Sequence, residues 1–211
     1  MIYCSNPFFQ YLSYDKEIQK SIIRVLNSKQ YVLGNEVSSF ENEFAKFIGT
    51  KYSIGVANGT DAIEIGLRSL GIGNGDEVIT VSHTANATVS AIESTGANPV
   101  LIDIEEDYFT INSDKISKAI NKNTKAVICV HLYGQSIDLD KVKSICKKKN
   151  IYLIEDVSQA HGALWKGKRL GSFGIFATFS CYPTKNLGAI GDAGIITTNK
   201  KFLEKKIKMI R

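Results

Sequence analysis

Lys185 stands in an unusual setting for a lysine, within the glycine-rich segment CYPTKNLGAIGDAG (181–194) that follows a hydrophobic run ending at Ser180. A lysine amine that is partly withdrawn from water and close to other functional groups can act as a nucleophile toward aldehydes. Taken alone, however, the segment is more typical of a surface loop whose lysine faces water. The neighbouring motifs must decide between the two interpretations.

Two adjacent carboxylates, Glu155 and Asp156, end the apolar run IYLIED (151–156) and are followed by Gln159 and His161. Burial of an unpaired charge is costly, so a carboxylate in this position requires a cationic or hydrogen-bonding partner. A ligand could supply that partner, or the carboxylate could accept backbone N–H groups where the strand meets the loop. His161 by itself is more typical of a hydrogen-bonded structural histidine than of a base.

A third candidate is VANGTDAI (56–63), where a strand is predicted to end near Ala57, Asn58 and Gly59 to form a turn, and a helix to start at Thr60. Free backbone N–H groups at a helix start bind anions such as phosphate, and glycine permits close approach. The alternative is a simple Asn-Gly turn with a threonine cap. Together the three segments supply an amine, a carboxylate and an anion site. These match, respectively, the aldehyde, the protonated ring nitrogen and the phosphate of pyridoxal phosphate.

Two other glycine-rich segments do not indicate nucleotide binding. GIGNG (71–75) follows a predicted helix and precedes a predicted strand, which reverses the order that dinucleotide binding requires. GALWKGKR (162–169) has Arg169 where a P-loop has its magnesium-binding serine or threonine, and no helix is predicted after it. Both are therefore interpreted as turns.

The elements that must position these residues alternate along the chain. Short β-branched runs predict strands, and segments with helical spacing lie between them. This alternation predicts βαβ units and a largely parallel sheet with helices on both faces. The predicted strands are 77–81, 98–104, 125–132 and 151–156, followed by a hairpin over 163–170 and strands within 174–180 and 193–198. Because ligands bind at the carboxyl ends of such strands, the site is predicted in the loops after Ala57, Val81, Glu155 and Ser180.

Length and composition limit the classes of protein. The chain has 211 residues, of which 44% are hydrophobic and 22% charged, and this suits one large α/β domain. The whole net charge of +5 resides in residues 200–211, so a nucleic-acid surface is not expected. That lysine-rich end is predicted to be an amphipathic helix with four residues on its apolar side: Phe202, Leu203, Ile207 and Ile210.

Cysteine spacing and hydropathy complete these limits. Cys4, Cys129, Cys146 and Cys181 form no Cys-x-x-Cys pair, which favours reduced thiols over disulfides and predicts no metal site. No apolar run approaches the length of a membrane span or the pattern of a signal peptide. A cytoplasmic protein without a membrane partner is therefore predicted.

In order and spacing, five segments resemble the sugar aminotransferases of the DegT/DnrJ/EryC1/StrS family: VANGTDAI, VSHTANATVSAIESTGANPVLIDI, VHLYGQSIDLD, IEDVSQAHGA and FSCYPTKNLGAIGDAG. The similarity runs from about Gln30 to the chain end. It implies the aspartate aminotransferase fold, whose large domain is a three-layer α/β structure with a mixed, mostly parallel sheet. Residues 1–211 would be this pyridoxal-phosphate-binding large domain, with an N-terminal segment at 1–30 and with the C-terminal small domain absent.

The resemblance also implies roles for individual residues. Lys185 would be the catalytic residue, bound covalently to the aldehyde of pyridoxal 5'-phosphate, while Asp156 would pair with the pyridine nitrogen and Gln159 with the ring hydroxyl. Three residues would hold the phosphate: Gly59, Thr60 and Ser180. The implied reaction transfers an amino group from glutamate to the keto group of a nucleotide-linked deoxysugar, for amino-sugar and polysaccharide biosynthesis. The implied partners are these two substrates and a second copy of the chain in a homodimer.

Two features depart from the family pattern. Many relatives place an aromatic residue shortly after a Ser-x-Thr turn to stack on the cofactor, whereas this sequence has Ala85 and Asn86 in SHTANAT (82–88). Either His83 provides the stacking ring or no aromatic ring is used. The sequence also stops where family members continue, so the alternative function is a non-catalytic remnant or cofactor-binding module. The dehydratase branch of the family is disfavoured, because it has histidine in place of Lys185.

Overall fold

A seven-stranded mixed sheet forms the centre of the fold in the computed structural model, which describes residues 5–211. A separate two-stranded hairpin lies outside it. The strands in chain order are β1 (Tyr52–Val56), β2 (Glu77–Val81), β3 (Asn98–Ile102), β4 (Thr124–Val130), β5 (Tyr152–Asp156), β6 (Leu164–Trp165), β7 (Lys168–Arg169), β8 (Phe176–Ser180) and β9 (Gly194–Thr198). The hairpin is β6 paired with β7, as the sequence predicts.

The described part of the chain also contains eight α-helices and one short 3-10 turn at Leu132–Gly134. The helices are α1 (Pro7–Ser13), α2 (Asp15–Ser28), α3 (Asn35–Ile48), α4 (Gly59–Ser69), α5 (Asn86–Ser94), α6 (Ser113–Ala119), α7 (Leu139–Lys149) and α8 (Lys201–Ile210). None of these helices is long and apolar enough to cross a membrane.

The order of strands in the large sheet is β1-β9-β8-β5-β4-β2-β3. The pairs from β3 through β2, β4 and β5 to β8 are parallel, whereas β9 runs antiparallel to both β8 and β1. The predicted mixed, mostly parallel sheet is thus confirmed. The carboxyl ends of β1, β2, β5 and β8 meet at one edge of the sheet.

Helices cover both faces of the sheet. Helix α5 connects β2 to β3 and α7 connects β4 to β5, but the two crossovers run in opposite directions along the sheet. Because such crossovers are right-handed, α5 and α7 lie on opposite faces. Helix α4 packs on α5 and α8, and α3 lies on the α7 side, where Phe44 packs on Phe179. The predicted three-layer α/β class is confirmed.

Helix α8 buries less of its apolar side than the sequence predicts. Leu203 and Ile207 are fully buried against the core, whereas Phe202 is 50% exposed and Ile210 is 44% exposed. The contacts of α8 are with α4, β1 and β9. These neighbours cover Leu203, Ile207 and the adjacent Glu204 but not Phe202 or Ile210, so the predicted four-residue apolar side was too broad.

The N-terminal segment forms α1 and α2, and neither helix has a buried residue. Residues of α1 and the 183–191 loop line a cavity of about 770 Å³. Of the four cysteines, Cys129, Cys146 and Cys181 are free and buried, and Cys4 lies outside the described residues.

Candidate active site

The four predicted loops converge on one cavity of about 260 Å³ at the carboxyl edge of the sheet. Each loop contributes a side chain or backbone group to its wall, because each follows a strand that ends at this edge. The lining residues are Asn58, Gly59, Thr60, Ile63, Ala85, Ala87, Thr88, Asp156, Ser158, Ser180, Tyr182, Lys185 and Asp192. Four of the predicted site residues therefore join Lys185 here, namely Gly59, Thr60, Asp156 and Ser180.

The N-terminus of α4 forms one wall of this cavity. The helix begins at Gly59 rather than at Thr60, and the Asn58 side chain caps it by accepting the N–H of Asp61 at 2.8 Å. The predicted helix start is thus one residue late, and the threonine cap of the alternative interpretation does not form, because Asn58 precedes the first helical residue and its amide oxygen reaches the free N–H three positions on. The N–H groups of Gly59 and Thr60 have no acceptor within the helix, as is usual in a first turn.

Gly59 is required by close packing rather than by an unusual backbone angle. A Cβ atom at this position would lie 2.7 Å from the Cβ of Ser180 and 3.3 Å from its Oγ. Glycine thus lets the start of α4 approach the end of β8. As a result, the N–H groups of α4 and the hydroxyl of Ser180 face the same small volume.

Asp156 is 5% exposed and forms hydrogen bonds through both carboxylate oxygens. Its Oδ1 accepts the backbone N–H of Ser158 at 3.1 Å, and its Oδ2 accepts the hydroxyl of Thr88 at 3.2 Å. The first bond is the strand-to-loop contact that the sequence suggested as an alternative. The sequence does not predict the second bond, whose donor, Thr88, is the last residue of the SHTANAT segment.

Glu155 points to the opposite side of β5 and organises the loop before β8. Its carboxylate is fully buried and accepts the N–H groups of Gly171, Phe173 and Gly174, each at 2.8 Å. His131 Nε2 lies 3.4 Å from Glu155 Oε2. Burial raises the pKa of Glu155, but His131 and the backbone N–H groups outweigh it and hold the pKa below its usual range. Alternation along the strand thus assigns the two carboxylates different surroundings.

Lys185 lies half-buried in the turn after β8, where its backbone N–H bonds Tyr182 O at 2.8 Å. Within residues 5–211 its ammonium group makes neither an ion pair nor a hydrogen bond. It also borders a second cavity of about 550 Å³ together with Gln159 and Tyr133. There Gln159 Oε1 accepts the Tyr133 N–H at 3.0 Å. Gln159 is therefore close to the lysine, but in the adjoining cavity rather than the first one.

His83 lies outside both cavities that contain Lys185. It is exposed, borders a separate cavity of about 320 Å³, and has its Nε2 3.1 Å from the hydroxyl of Tyr133. Two alanines, Ala85 and Ala87, line the lysine cavity instead. This geometry favours the second alternative raised by the sequence, in which no aromatic ring from this segment stacks on the cofactor.

His161 differs from the hydrogen-bonded histidine that its motif suggested. Both of its ring nitrogens are buried and have no hydrogen-bond partner in the described part of the chain. Its ring packs against Phe179, with 5.5 Å between the ring centroids. Burial, together with the charge of Lys185, lowers the pKa of His161 to about 4, so the ring is neutral at physiological pH.

The residues of the lysine cavity fit pyridoxal phosphate. An ammonium group without a partner among residues 5–211, a buried carboxylate and a helix N-terminus approached through a glycine surround one volume. These groups are complementary to an aldehyde, a protonated ring nitrogen and a phosphate, respectively.

Comparison with known proteins shows the family of this chain. The model of the DegT/DnrJ/EryC1/StrS aminotransferase family matches residues 12–211. The chain belongs to this family. The match begins earlier than Gln30, where the sequence similarity was expected to start. The fold predicted from the sequence and the resemblance to the DegT/DnrJ/EryC1/StrS family are both confirmed.

Two curated relatives are named as transaminases of amino sugars linked to dTDP. The dTDP-3-amino-3,6-dideoxy-alpha-D-galactopyranose transaminase of Aneurinibacillus thermoaerophilus is 50% identical over 95% of this chain and 55% of its own length. The dTDP-3-amino-3,4,6-trideoxy-alpha-D-glucose transaminase of Streptomyces venezuelae is 43% identical over 92% of this chain and 52% of its own length. The chain thus spans about half the length of the curated relatives it matches.

Solved structures extend the similarity to three dimensions. The crystal structure of S. venezuelae DesV, described as a complex with a ketimine intermediate, has a TM-score of 0.95 and 41% identity over 98% of this chain and 56% of that one. The structure of NtdA from Bacillus subtilis, described with bound cofactor PMP, has a TM-score of 0.87 and 34% identity over 92% of this chain and 44% of that one.

Proposed function

We propose that this chain is the cofactor-binding large domain of a pyridoxal-phosphate-dependent aminotransferase that acts on a nucleotide-linked keto-deoxysugar. The observation that carries the proposal is the convergence of Lys185, Asp156 and the N-terminus of α4 on one cavity. The two relatives named as dTDP-amino-sugar transaminases support the substrate class. Amino-sugar and polysaccharide biosynthesis is the corresponding role, and the cytoplasm remains the compartment predicted from the sequence.

Five residues would hold the cofactor noncovalently. The N–H groups of Gly59 and Thr60 and the hydroxyl of Ser180 would bind its phosphate, since helix N-termini favour negative charge. Asp156 would bond the protonated ring nitrogen. Gln159 would donate from its amide nitrogen to the ring hydroxyl, because its oxygen already accepts the Tyr133 N–H. When bound, the cofactor supplies an electron sink for a carbanion next to the reacting amine.

Lys185 would carry both the covalent attachment and the proton transfer. Its Nζ would hold the cofactor aldehyde at rest and would be released when the amino donor takes its place. As a free amine, Nζ would then take the proton from the donor's α-carbon and hold it inside the cavity. The half-buried position of Lys185 supports this role, because it limits the exchange of that proton with water. Glutamate as the donor is carried over from the family resemblance.

A homodimer is part of the proposal, and the surface of the N-terminal helices supports it. Contiguous exposed apolar patches on a protein surface often mark sites of association. Helices α1 and α2 carry exposed Phe8, Phe9, Leu12, Ile22, Ile23 and Leu26. Sedimentation equilibrium of the purified chain tests this point, and a mass of one chain at micromolar concentration would refute it for the 211 residues.

The cofactor assignment is tested by absorbance after incubation with pyridoxal phosphate. We expect a visible band from the lysine-bound cofactor, which Lys185→Ala abolishes. Lys168→Ala is the matched control, since this exposed lysine lies on the β6–β7 hairpin and does not border the cavity. A band that survives Lys185→Ala, or no band in the unaltered chain, would refute the assignment of Lys185.

The reaction itself is tested by amino transfer in the cofactor-loaded chain. Formation of an amino sugar from a keto-sugar nucleotide is expected with glutamate as donor, and a panel of other amino acids tests the donor separately. A folded chain that shows the lysine-dependent band but transfers no amino group would favour the alternative of a cofactor-binding module or non-catalytic remnant. This test is needed because the chain spans only 55% of the length of its relative from Aneurinibacillus thermoaerophilus.

A further inference from the structure

We propose that Thr88 is a positioning residue that holds Asp156 in the orientation needed to pair with the cofactor ring nitrogen. The proposal rests on the proposed function, because it assigns Thr88 a role that acts through Asp156. A second residue, Thr84, is proposed to orient the hydroxyl of Thr88. Both threonines belong to the segment between β2 and the first turn of α5.

The geometry around Asp156 leaves its carboxylate little freedom. Thr88 is 1% exposed and bonds Oδ2, while the Ser158 N–H bonds Oδ1. The two donors come from different elements, so rotation of the carboxylate in either direction breaks one bond. Ser158 is itself fixed, since its Oγ accepts the N–H of Ser180 at 3.1 Å. The orientation of Asp156 is therefore tied to the phosphate side of the cavity as well.

The direction of the hydrogen bonds follows from counting protons. A hydroxyl has one proton to donate, and an ionised carboxylate can only accept. Thr88 therefore donates to Asp156, and in the contact between Thr84 Oγ1 and Thr88 Oγ1, at 2.9 Å, Thr84 must be the donor. The result is a chain of donors that runs from Thr84 through Thr88 to the carboxylate. Such chains strengthen each bond they contain.

Other buried threonines in the described residues place their hydroxyls away from the lysine cavity. Those of Thr110 and Thr124 bond the carboxylates of Glu105 and Glu77, neither of which borders that cavity. The Thr95 hydroxyl bonds the backbone carbonyl of Ile92 three positions earlier, and the Thr80 hydroxyl bonds the carbonyl of Ile128. These bonds satisfy local or sheet backbone. Thr88, by contrast, directs its hydroxyl to a carboxylate that borders the cavity. This contrast indicates a role in the site and provides a matched control.

The test compares Thr88→Val, which keeps the shape and removes the hydroxyl, with Thr88→Ser, which keeps the hydroxyl. We expect Thr88→Val to weaken pyridoxal phosphate binding by about 10-fold, since hydrogen bonds to charged groups are among the stronger ones. We also expect a changed ratio of visible to near-ultraviolet absorbance of the bound cofactor at a fixed pH. Thr88→Ser should restore both the affinity and the spectrum.

Two further variants separate positioning from general stability. Thr80→Val removes a fully buried hydroxyl away from the cavity, and it should leave affinity and spectrum unchanged even if it lowers the melting temperature. In the background of Asp156→Ala, Thr88→Val should have no further effect, because the side chain through which it acts is gone. Additive losses in the double variant would overturn action through Asp156.

The remaining outcomes separate this proposal from the proposed function. Wild-type affinity and spectrum in Thr88→Val, together with a Lys185-dependent band, would overturn the role of Thr88 alone. Equal losses in Thr88→Val and Thr88→Ser would do the same, since the serine retains the hydroxyl. A wild-type chain that binds no pyridoxal phosphate would overturn both proposals.

Discussion

Replacing Glu155 with glutamine would test how the end of β5 is anchored. The carboxylate accepts three backbone N–H groups at 2.8 Å in a fully buried position, two on Oε1 and one on Oε2. Glutamine has nearly the same shape but offers one oxygen and one NH₂ group. If the glutamine oxygen accepts the N–H groups of Phe173 and Gly174, its NH₂ group faces the N–H of Gly171. One buried N–H then loses its acceptor and meets another donor.

The magnitude follows from these contacts. An unsatisfied buried polar group costs about 1–3 kcal/mol, and the two bonds that remain become neutral rather than charge-assisted. We therefore expect Glu155→Gln to lower the free energy of unfolding by about 3 kcal/mol at pH 7. Glu64→Gln is the matched control, because Glu64 pairs with Arg68 on the partly exposed surface of α4. A change within about 0.5 kcal/mol is expected there.

The pH dependence gives the result that would refute this reasoning. Because the pKa of Glu155 is held below its ordinary value of 4.5, its contribution to stability is fully present above that value and is lost as the pH falls through the lower folded pKa. Urea unfolding should therefore show a gap between wild type and Glu155→Gln that is constant near neutral pH and narrows in acid. A gap that widens in acid, or no gap at pH 7, would contradict the assigned network.

Three further predictions concern close packing and burial. Gly59→Ala should lower the free energy of unfolding by about 1–3 kcal/mol and weaken pyridoxal phosphate binding, because the added Cβ meets Ser180. Gly55→Ala is the control, because its Cβ meets only ordinary van der Waals contacts, and it should change neither quantity. Urea unfolding and binding titrations measure the two effects. The ring protons of His161 should show no titration between pH 5 and 8 by NMR, since its pKa is about 4, and a midpoint near 6.5 would contradict its burial. Cys129 should resist a thiol reagent until the chain unfolds, because burial raises its pKa well above 9.0, as peptide mapping after labelling would reveal.

Much of the fold follows from local sequence signals. The bounds of β2 are those predicted, and β5 begins one residue later than its apolar run, because turn residues flank both runs. Strand β3 ends at Ile102 rather than at 104, since Ile104 pairs separately with Ile111 in an isolated bridge. A run of apolar residues cannot reveal which neighbour will bond its last members.

The site was predictable in its loops but not in its hydrogen bonds. The strand ends determine where Gly59, Asp156 and Lys185 lie, because parallel strands end at a common edge. The bond from Thr88 to Asp156 joins residues far apart in sequence, and nothing in either motif specifies it. His83 shows the same limit: its residue type allowed a stacking role, but the path of the loop after β2 turns its ring toward Tyr133.

The opposite orientations of Glu155 and Asp156 have a consequence for how this strand tolerates change. In a strand, a shift of one residue exchanges the two faces. A single insertion or deletion within β5 would thus bring the longer carboxylate to the ligand side and leave the shorter one among the amides of 171–174. In β5 the partners are fixed by the pairing of Cys129 with Glu155 and of Val130 with Asp156. Insertions and deletions within the five residues of β5 should therefore abolish both folding and ligand binding. The exposed loop around Tyr108 should tolerate them.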